Sequence, residues 1–110
     1  MTKDYLLFIN HVLESIAIVE KHLKGVTKKE FLKNIEKQDA VIRRIGIIGE
    51  AVKNIPPSIR KSNPNIPWRN IAGMRDIVVH EYFDVDLNYA WETAKIGLPK
   101  LKRELMKLLK

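Results

Sequence analysis

Between Tyr5 and Leu23 the apolar residues Leu6, Ile9, Val12, Leu13, Ile16, Val19 and Leu23 recur at steps of three and four, which marks one buried face of an amphipathic helix. Asp4 is placed to cap this helix and Gly25 to stop it. Thr27 and Glu30 have the spacing of a capping box, so "TKKEFLKN" is expected to start a short second helix with Phe31 turned inward. A third helix is expected from Glu36 to Asn54, where Val41, Ile45, Ile48, Ala51 and Val52 hold the helical period until Pro56 and Pro57 end it. Gly46 and Gly49 lower helix propensity there, but on one face they leave room for another backbone to come close.

The stretch "PPSIRKSNPNIP" holds four of the five prolines and reads as the main break in the chain, with at most one helical turn at "SIRK". Pro67 suits the first position of a helix over "WRNIAGMRDIVVHEYF". A last helix is expected from Val85 to Leu109, capped by Asp84 or Asp86 and bent at Pro99. No alternating strand pattern of useful length is present, and the β-branched "IVV" is too short to overrule its helical flanks. The expected fold is therefore all-α, a bundle of four long helices with short extras.

At 110 residues the chain suits one domain, residues 1–110, with a real core. No apolar run is long enough to span a membrane and the N-terminus lacks a secretory layout, so a cytoplasmic protein is expected. The absence of cysteine agrees with that compartment and removes thiol nucleophiles, disulfides and thiolate metal sites. Twenty Lys and Arg against thirteen Asp and Glu give a formal charge of +7, a bias toward polyanionic partners. Much of it is a C-terminal cluster of lysines, where cations favour a helix end, so the sign alone specifies nothing.

The concentrated chemistry lies in "RDIVVHEY", residues 75–82. On a straight helix Asp76 and His80 lie about 40° apart and can touch, a pairing that fixes an imidazole tautomer and raises its basicity. Arg75 lies about 140° from His80, and Tyr82 is about 200° around, so one straight helix cannot aim all four into one cleft. They converge only if the helix frays near His80 or if two copies of the segment meet across a two-fold axis. Read without either device, the same residues are a solvated ion pair, a surface histidine and core aromatics.

The stretch "RDIVVHEYF" resembles the arginine, polar residue, three variable residues, histidine, any residue, tyrosine signature of HepT-like proteins of the HEPN superfamily. The segments "DAVIRRIGIIGEAVKNIP", "NIPWRNIAGMRD" and "FDVDLNYAWETAKIGLPKLK" are similar, in order, to that family's successive helices, and the first helix is similar in pattern. The resemblance implies a four-to-five-helix bundle of HEPN type that forms a two-fold homodimer with both motifs lining a shared cleft. It implies a metal-independent endoribonuclease, without cofactor, serving as the toxin of a type VII toxin–antitoxin pair. Its expected partners are RNA and a cognate minimal nucleotidyltransferase antitoxin, which silences the family's toxins by transferring AMP from ATP to the motif tyrosine, here Tyr82.

The residue types suit that reaction. Attack of a ribose 2'-hydroxyl on the adjacent phosphorus needs a base, an acid for the leaving 5'-oxygen and a cation for the developing charge. His80 suits either proton role, Arg75 offers a planar fork for two phosphate oxygens, and Asp76 is expected to orient Arg75 or His80. Arg43 and Arg44 are weaker candidates for RNA phosphates, with ion pairing to Glu36, Asp39 or Glu50 the stronger expectation. His11 and His22 are about 16 Å apart along the first helix, too far to share a metal, and read as structural or surface residues. Trp68 and Trp91 read as core anchors. Two competing classes remain on the residues alone: a non-catalytic HEPN-like subunit that docks a nucleotidyltransferase, and a basic RNA-binding protein that depends on its C-terminal lysines.

Overall fold

The computed structural model describes residues 4–80 and 84–109. Helix α1 spans Asp4–Leu23, and the chain turns at Gly25, whose φ of 75° is a conformation that glycine adopts without steric cost. Thr27 then caps α2, Lys28–Phe31, in the expected capping box: its hydroxyl accepts from the Glu30 backbone N–H at 3.2 Å, and the Glu30 carboxylate accepts from the Thr27 N–H at 2.9 Å. Asn34 caps α3, Ile35–Lys53, by accepting from the Lys37 N–H, and the helix ends before the two prolines as expected.

Helices α1 and α3 form the main packing pair. Ile9, Val12, Ile16 and Val19 of α1 meet Val41, Ile45, Ile48 and Val52 of α3 in a core where none is more than 1% exposed. Phe31 is fully buried in the same cluster, as its place in the capping segment suggests. Burial of each such side chain contributes about 1.5–3 kcal/mol, so the apolar period of these two helices supplies much of the fold's stability.

The proline-rich break contains a short helix α4, Pro57–Ser62. Its end is held by Trp68, whose buried indole N–H donates to the Arg60 and Asn63 carbonyls at 3.1 and 3.0 Å. Trp68 is thus the core anchor expected of it. Trp91 is only half-buried, with Phe31 on one side and the Lys95 ammonium 5.2 Å from its ring centre.

Beyond Trp68 the structure departs from the continuous helix that the sequence suggests. Pro67 precedes the helix rather than opening it, and α5, Trp68–Ala72, gives way at Gly73 to α6, Met74–Val78. The backbone then leaves the helix altogether: Val79–His80 (β1) pairs antiparallel with Asp84–Val85 (β2), Val79 opposite Val85 and His80 opposite Asp84. The Asp86 N–H donates to the Val78 carbonyl at 2.7 Å and takes up an acceptor that the terminated helix leaves open. Consecutive β-branched residues at 77–79 favour this exit: of "IVV", Ile77 and Val78 stay helical as expected, and Val79 does not.

The expected C-terminal helix forms as one helical run over Leu87–Leu108, with a π-helical turn inside it. Asp86 caps α7, Leu87–Glu92, by accepting from the Tyr89 N–H at 2.9 Å, whereas Asp84 lies in β2. A π-helical turn, Thr93–Gly97, follows and leads into α8, Leu98–Leu108, with the Leu98 N–H donating to the Thr93 carbonyl. The wider turn sits just before Pro99, inside the helical run, and makes room for a residue that lacks an N–H and crowds the preceding turn. Leu98, Leu101 and Leu105 bring α8 onto α1 and complete the core. The class is all-α with many helices, as expected, although the described residues hold three long helical runs, α1, α3 and the α7–α8 run with its π-helical turn, rather than four, and one two-residue strand pair.

Candidate functional site

Helices α5 and α6 lie against the side of α3 that carries Gly46 and Gly49. At Gly49 the approach is close: an added Cβ would stand 3.0 Å from the Ala72 carbonyl oxygen and 3.4 Å from that of Ile71. The two glycines thus allow the close packing that their spacing suggests. At Gly46 the neighbour is a side chain, since an added Cβ would lie 3.6 Å from Arg75 Cγ. The aliphatic stem of Arg75 therefore runs over α3 at Gly46, and its guanidinium is carried outward, with the side chain 57% exposed.

This packing leaves a cleft of about 510 Å³ between α1, α3 and the α5–α6 segment. Arg75 and Asp76 stand on one wall, Arg43, Glu50 and Lys53 of α3 form the floor, and Phe8 and His11 of α1 close the far side. The volume lies within the range of small-ligand sites, and the lining mixes cations with aromatic surface.

The Asp76 carboxylate stands 3.6 Å from Arg75 Nη1, an exposed ion pair too long to count as a hydrogen bond. Asp76 therefore accompanies Arg75 along the cleft. The helical relation that would have set Asp76 beside His80 is lost, because α6 ends at Val78 and His80 belongs to β1. The structure describes the backbone of His80 but not its side chain, and Tyr82 lies outside the described residues. Arg75 and Asp76 are thus the two motif residues that the described structure brings together.

The two arginines of α3 part company. Arg43 is exposed and lines the cleft, whereas Arg44 is half-buried and its Nη1 lies 3.5 Å from the hydroxyl of buried Ser15 on α1. Neither makes the expected ion pair with Glu36, Asp39 or Glu50 among the described residues; Glu50 pairs with Lys53 at 3.2 Å. Lys53 reaches Glu50 from one turn along the same helix face, which takes the carboxylate that Arg43 or Arg44 was expected to bind.

Residue spacing alone overlooks two members of the cleft. Phe8 carries no motif signal, and His11 reads from sequence as a surface or structural residue. Their rings meet edge to face, with centroids 6.4 Å apart and planes at 89°. The overlooked signal is that positions 8 and 11 are one turn apart on α1 and lie off the core stripe of Ile9, Val12 and Ile16. Among the described residues no group of three or more histidines and carboxylates is placed to hold a metal ion, and no helix is long and apolar enough to cross a membrane.

A helical domain whose cleft carries two arginines and a lysine beside two carboxylates and aromatic rings has groups that a polyanion could use. The chain belongs to the HepT-like ribonuclease family, whose model, "Ribonuclease HepT-like", matches residues 12–108. Among its relatives is the "Probable ribonuclease HepT" of Thermococcus cleftensis, 43% identical over 108 residues that cover 98% of this chain and 96% of that protein. A "Putative RNase" of Methanocaldococcus jannaschii is 41% identical over 108 residues, 98% of this chain and 89% of its own length. A longer protein of the same organism, described as "Gamma-glutamylcyclotransferase and putative RNase", is 48% identical over 109 residues; the chain spans 99% of itself there but only 49% of that protein. No solved structure matches the chain.

Proposed function

We propose that this chain is a metal-independent endoribonuclease and the toxin of a type VII toxin–antitoxin pair, acting in the cytoplasm as a two-fold homodimer. The observation that carries the reading is the place of Arg75: on the wall of a charged, partly aromatic cleft, in a chain of a ribonuclease family. In the dimer the two motif segments face each other across the axis, so that groups from both chains surround one phosphodiester.

In this reading His80 of one chain removes the proton from the ribose 2'-hydroxyl, and the oxygen attacks the adjacent phosphorus. The bond to the 5'-oxygen breaks, a second proton donor, such as His80 of the other chain, protonates the leaving oxygen, and the products are a 2',3'-cyclic phosphate and a 5'-hydroxyl end. Arg75 binds two non-bridging oxygens as charge builds on the phosphorane, and Asp76 holds the guanidinium in place. Arg43 supplies a flanking phosphate contact; Arg44, turned toward Ser15, is the weaker candidate. The cognate minimal nucleotidyltransferase transfers AMP from ATP to the Tyr82 hydroxyl with release of pyrophosphate. The added phosphate and nucleoside then compete with RNA for Arg75 and fill the space beside His80.

Incubation of the purified protein with RNA in EDTA tests the reading. Cleavage is expected from the wild type and is expected to vanish in Arg75→Ala and His80→Ala while the helical circular dichroism stays unchanged. RNA left intact by a folded wild type that still binds the nucleotidyltransferase would instead make the chain a non-catalytic docking subunit.

A further inference from the structure

We infer that the cleft between α1 and α3 is a subsite for one nucleotide beside the scissile linkage, with Phe8 and His11 as its base-stacking wall and Arg43 as its phosphate contact. The inference rests on the ribonuclease reading and adds residues outside the motif to it. Three observations meet at this place. The cleft is about 510 Å³ and includes Arg75, so whatever occupies it lies next to the proposed phosphorane site. Phe8 and His11, on α1 and so on a different element from Arg75, form a perpendicular ring pair in the same cleft, an aromatic corner suited to a base of any identity. Of the cleft's cations, Lys53 is engaged by Glu50 at 3.2 Å and Arg75 by Asp76 at 3.6 Å, whereas Arg43 makes no ion pair among the described residues. An RNA strand crossing from Arg75 toward α1 would place a phosphate near Arg43 and a base against the rings.

Sequence preference at this position is expected to be weak, because stacking reads the π-face that all bases share. His11 is exposed, and Phe8, half-buried against the core cluster, keeps an apolar side chain in Phe8→Leu.

The test uses the full chain and a short 2'-O-methyl oligoribonucleotide, which lacks the attacking hydroxyl and binds without being cut. Phe8→Leu and His11→Leu are each expected to weaken binding on the order of tenfold, and His11→Phe to restore it, since the aromatic face and not the imidazole is what the site uses. Arg43→Gln is expected to weaken binding and to flatten the salt dependence by about one unit of slope. Thermal midpoints and sedimentation behaviour should match the wild type throughout. Unchanged affinity in both leucine variants, with the wild type still cutting RNA and Arg75→Ala inactive, overturns the subsite and leaves the ribonuclease reading standing. A wild type that neither binds nor cuts RNA overturns both. A His11→Leu variant that alters self-association while keeping its affinity for the oligonucleotide shows α1 to be a subunit contact and overturns the stacking wall.

Discussion

The α1–α3 pair and the segment from Trp68 to Val85 use similar apolar residues to opposite ends. In α1 and α3, helices of 20 and 19 residues, every buried position extends one continuous face, and the backbone follows that face without a break. In the second region Trp68, Ile71, Met74 and Val78 are also buried at helical steps of three and four. There the backbone breaks at Gly73 while the buried series runs on from Ile71 to Met74, and it breaks again after Val78, the last buried residue of that series. An apolar period therefore reports which residues are anchored, not whether the hydrogen-bond ladder between them is whole. In this molecule the interruptions fall where the motif is, and they take His80 off the helix that carries Arg75 and Asp76.

The largest contrast comes from substituting one residue in each region. Ile45→Ala removes a fully buried side chain from α3 and is expected to cost about 2–5 kcal/mol, read as a lowered denaturant midpoint. Arg75→Ala removes a side chain that is 57% exposed, so stability should stay within about 0.5 kcal/mol. Cleavage in that variant should fall by about 100-fold or more, because the lost cation acts on the transition state. Equal stability losses in the two variants would erase the distinction between scaffold and site.

The glycines of α3 sharpen the same distinction within one helix. Gly49→Val drives side-chain carbon toward the backbone carbonyls of Ile71 and Ala72, an overpacking expected to cost about 1–3 kcal/mol. At Gly46 an alanine methyl meets Arg75 Cγ at an ordinary 3.6 Å, so Gly46→Ala should fold and cut RNA as the wild type does. Gly46→Leu should displace the Arg75 stem and reduce cleavage by about tenfold or more, with a thermal midpoint above that of Gly49→Val. A fully active Gly46→Leu variant would show that the position of the stem does not matter.

A smaller effect is expected at the first break. Gly73 has φ −93° and ψ 0°, and an added Cβ meets nothing closer than the Arg69 carbonyl at 3.5 Å. Gly73→Ala should therefore raise stability by about 0.4–1 kcal/mol through the unfolded chain. Activity should be unchanged if anchoring at Trp68 and Met74, rather than the freedom of glycine, fixes the break. A lowered melting midpoint would show that residue 73 needs a conformation alanine resists.

The sequence makes the scaffold legible because burial and period coincide there: α1, α3, the capping box at Thr27 and the stop at Pro56 all have local causes. What it conceals depends on long-range partners. Nothing local to Val79 announces pairing with Val85, and nothing local to Asp86 announces that its N–H will serve the Val78 carbonyl. At Pro99 the sequence announces a distortion of the last helix but not its form, a π-helical turn. Of the candidate site, the motif spells out Arg75 and Asp76, but the separation of Arg43 from Arg44 depends on which one Ser15 faces. Phe8 and His11 become members of the cleft only once α5 and α6 are seated opposite them.

The smallest expected effect concerns the link between α1 and α3. Acceptance of the Thr27 backbone N–H, followed by the hydrogen bond with its side chain, lowers the Glu30 pKa below its ordinary value. A depressed folded-state value means that the charged cap contributes stability above the unfolded pKa and loses it as pH falls through the folded one. In Glu30→Gln the cap is neutral at every pH, so the wild type should be slightly the more stable near neutrality, and the difference should shrink toward zero in acid. Because Glu30 is fully exposed, the effect should be small and reduced by salt, and the binding of an uncleavable oligonucleotide should be the same in both proteins. Paired thermal melts from neutral to acid pH at low and high salt provide the check; a difference that grows as pH falls would mean that the carboxylate is stabilised by protonation and not by the cap.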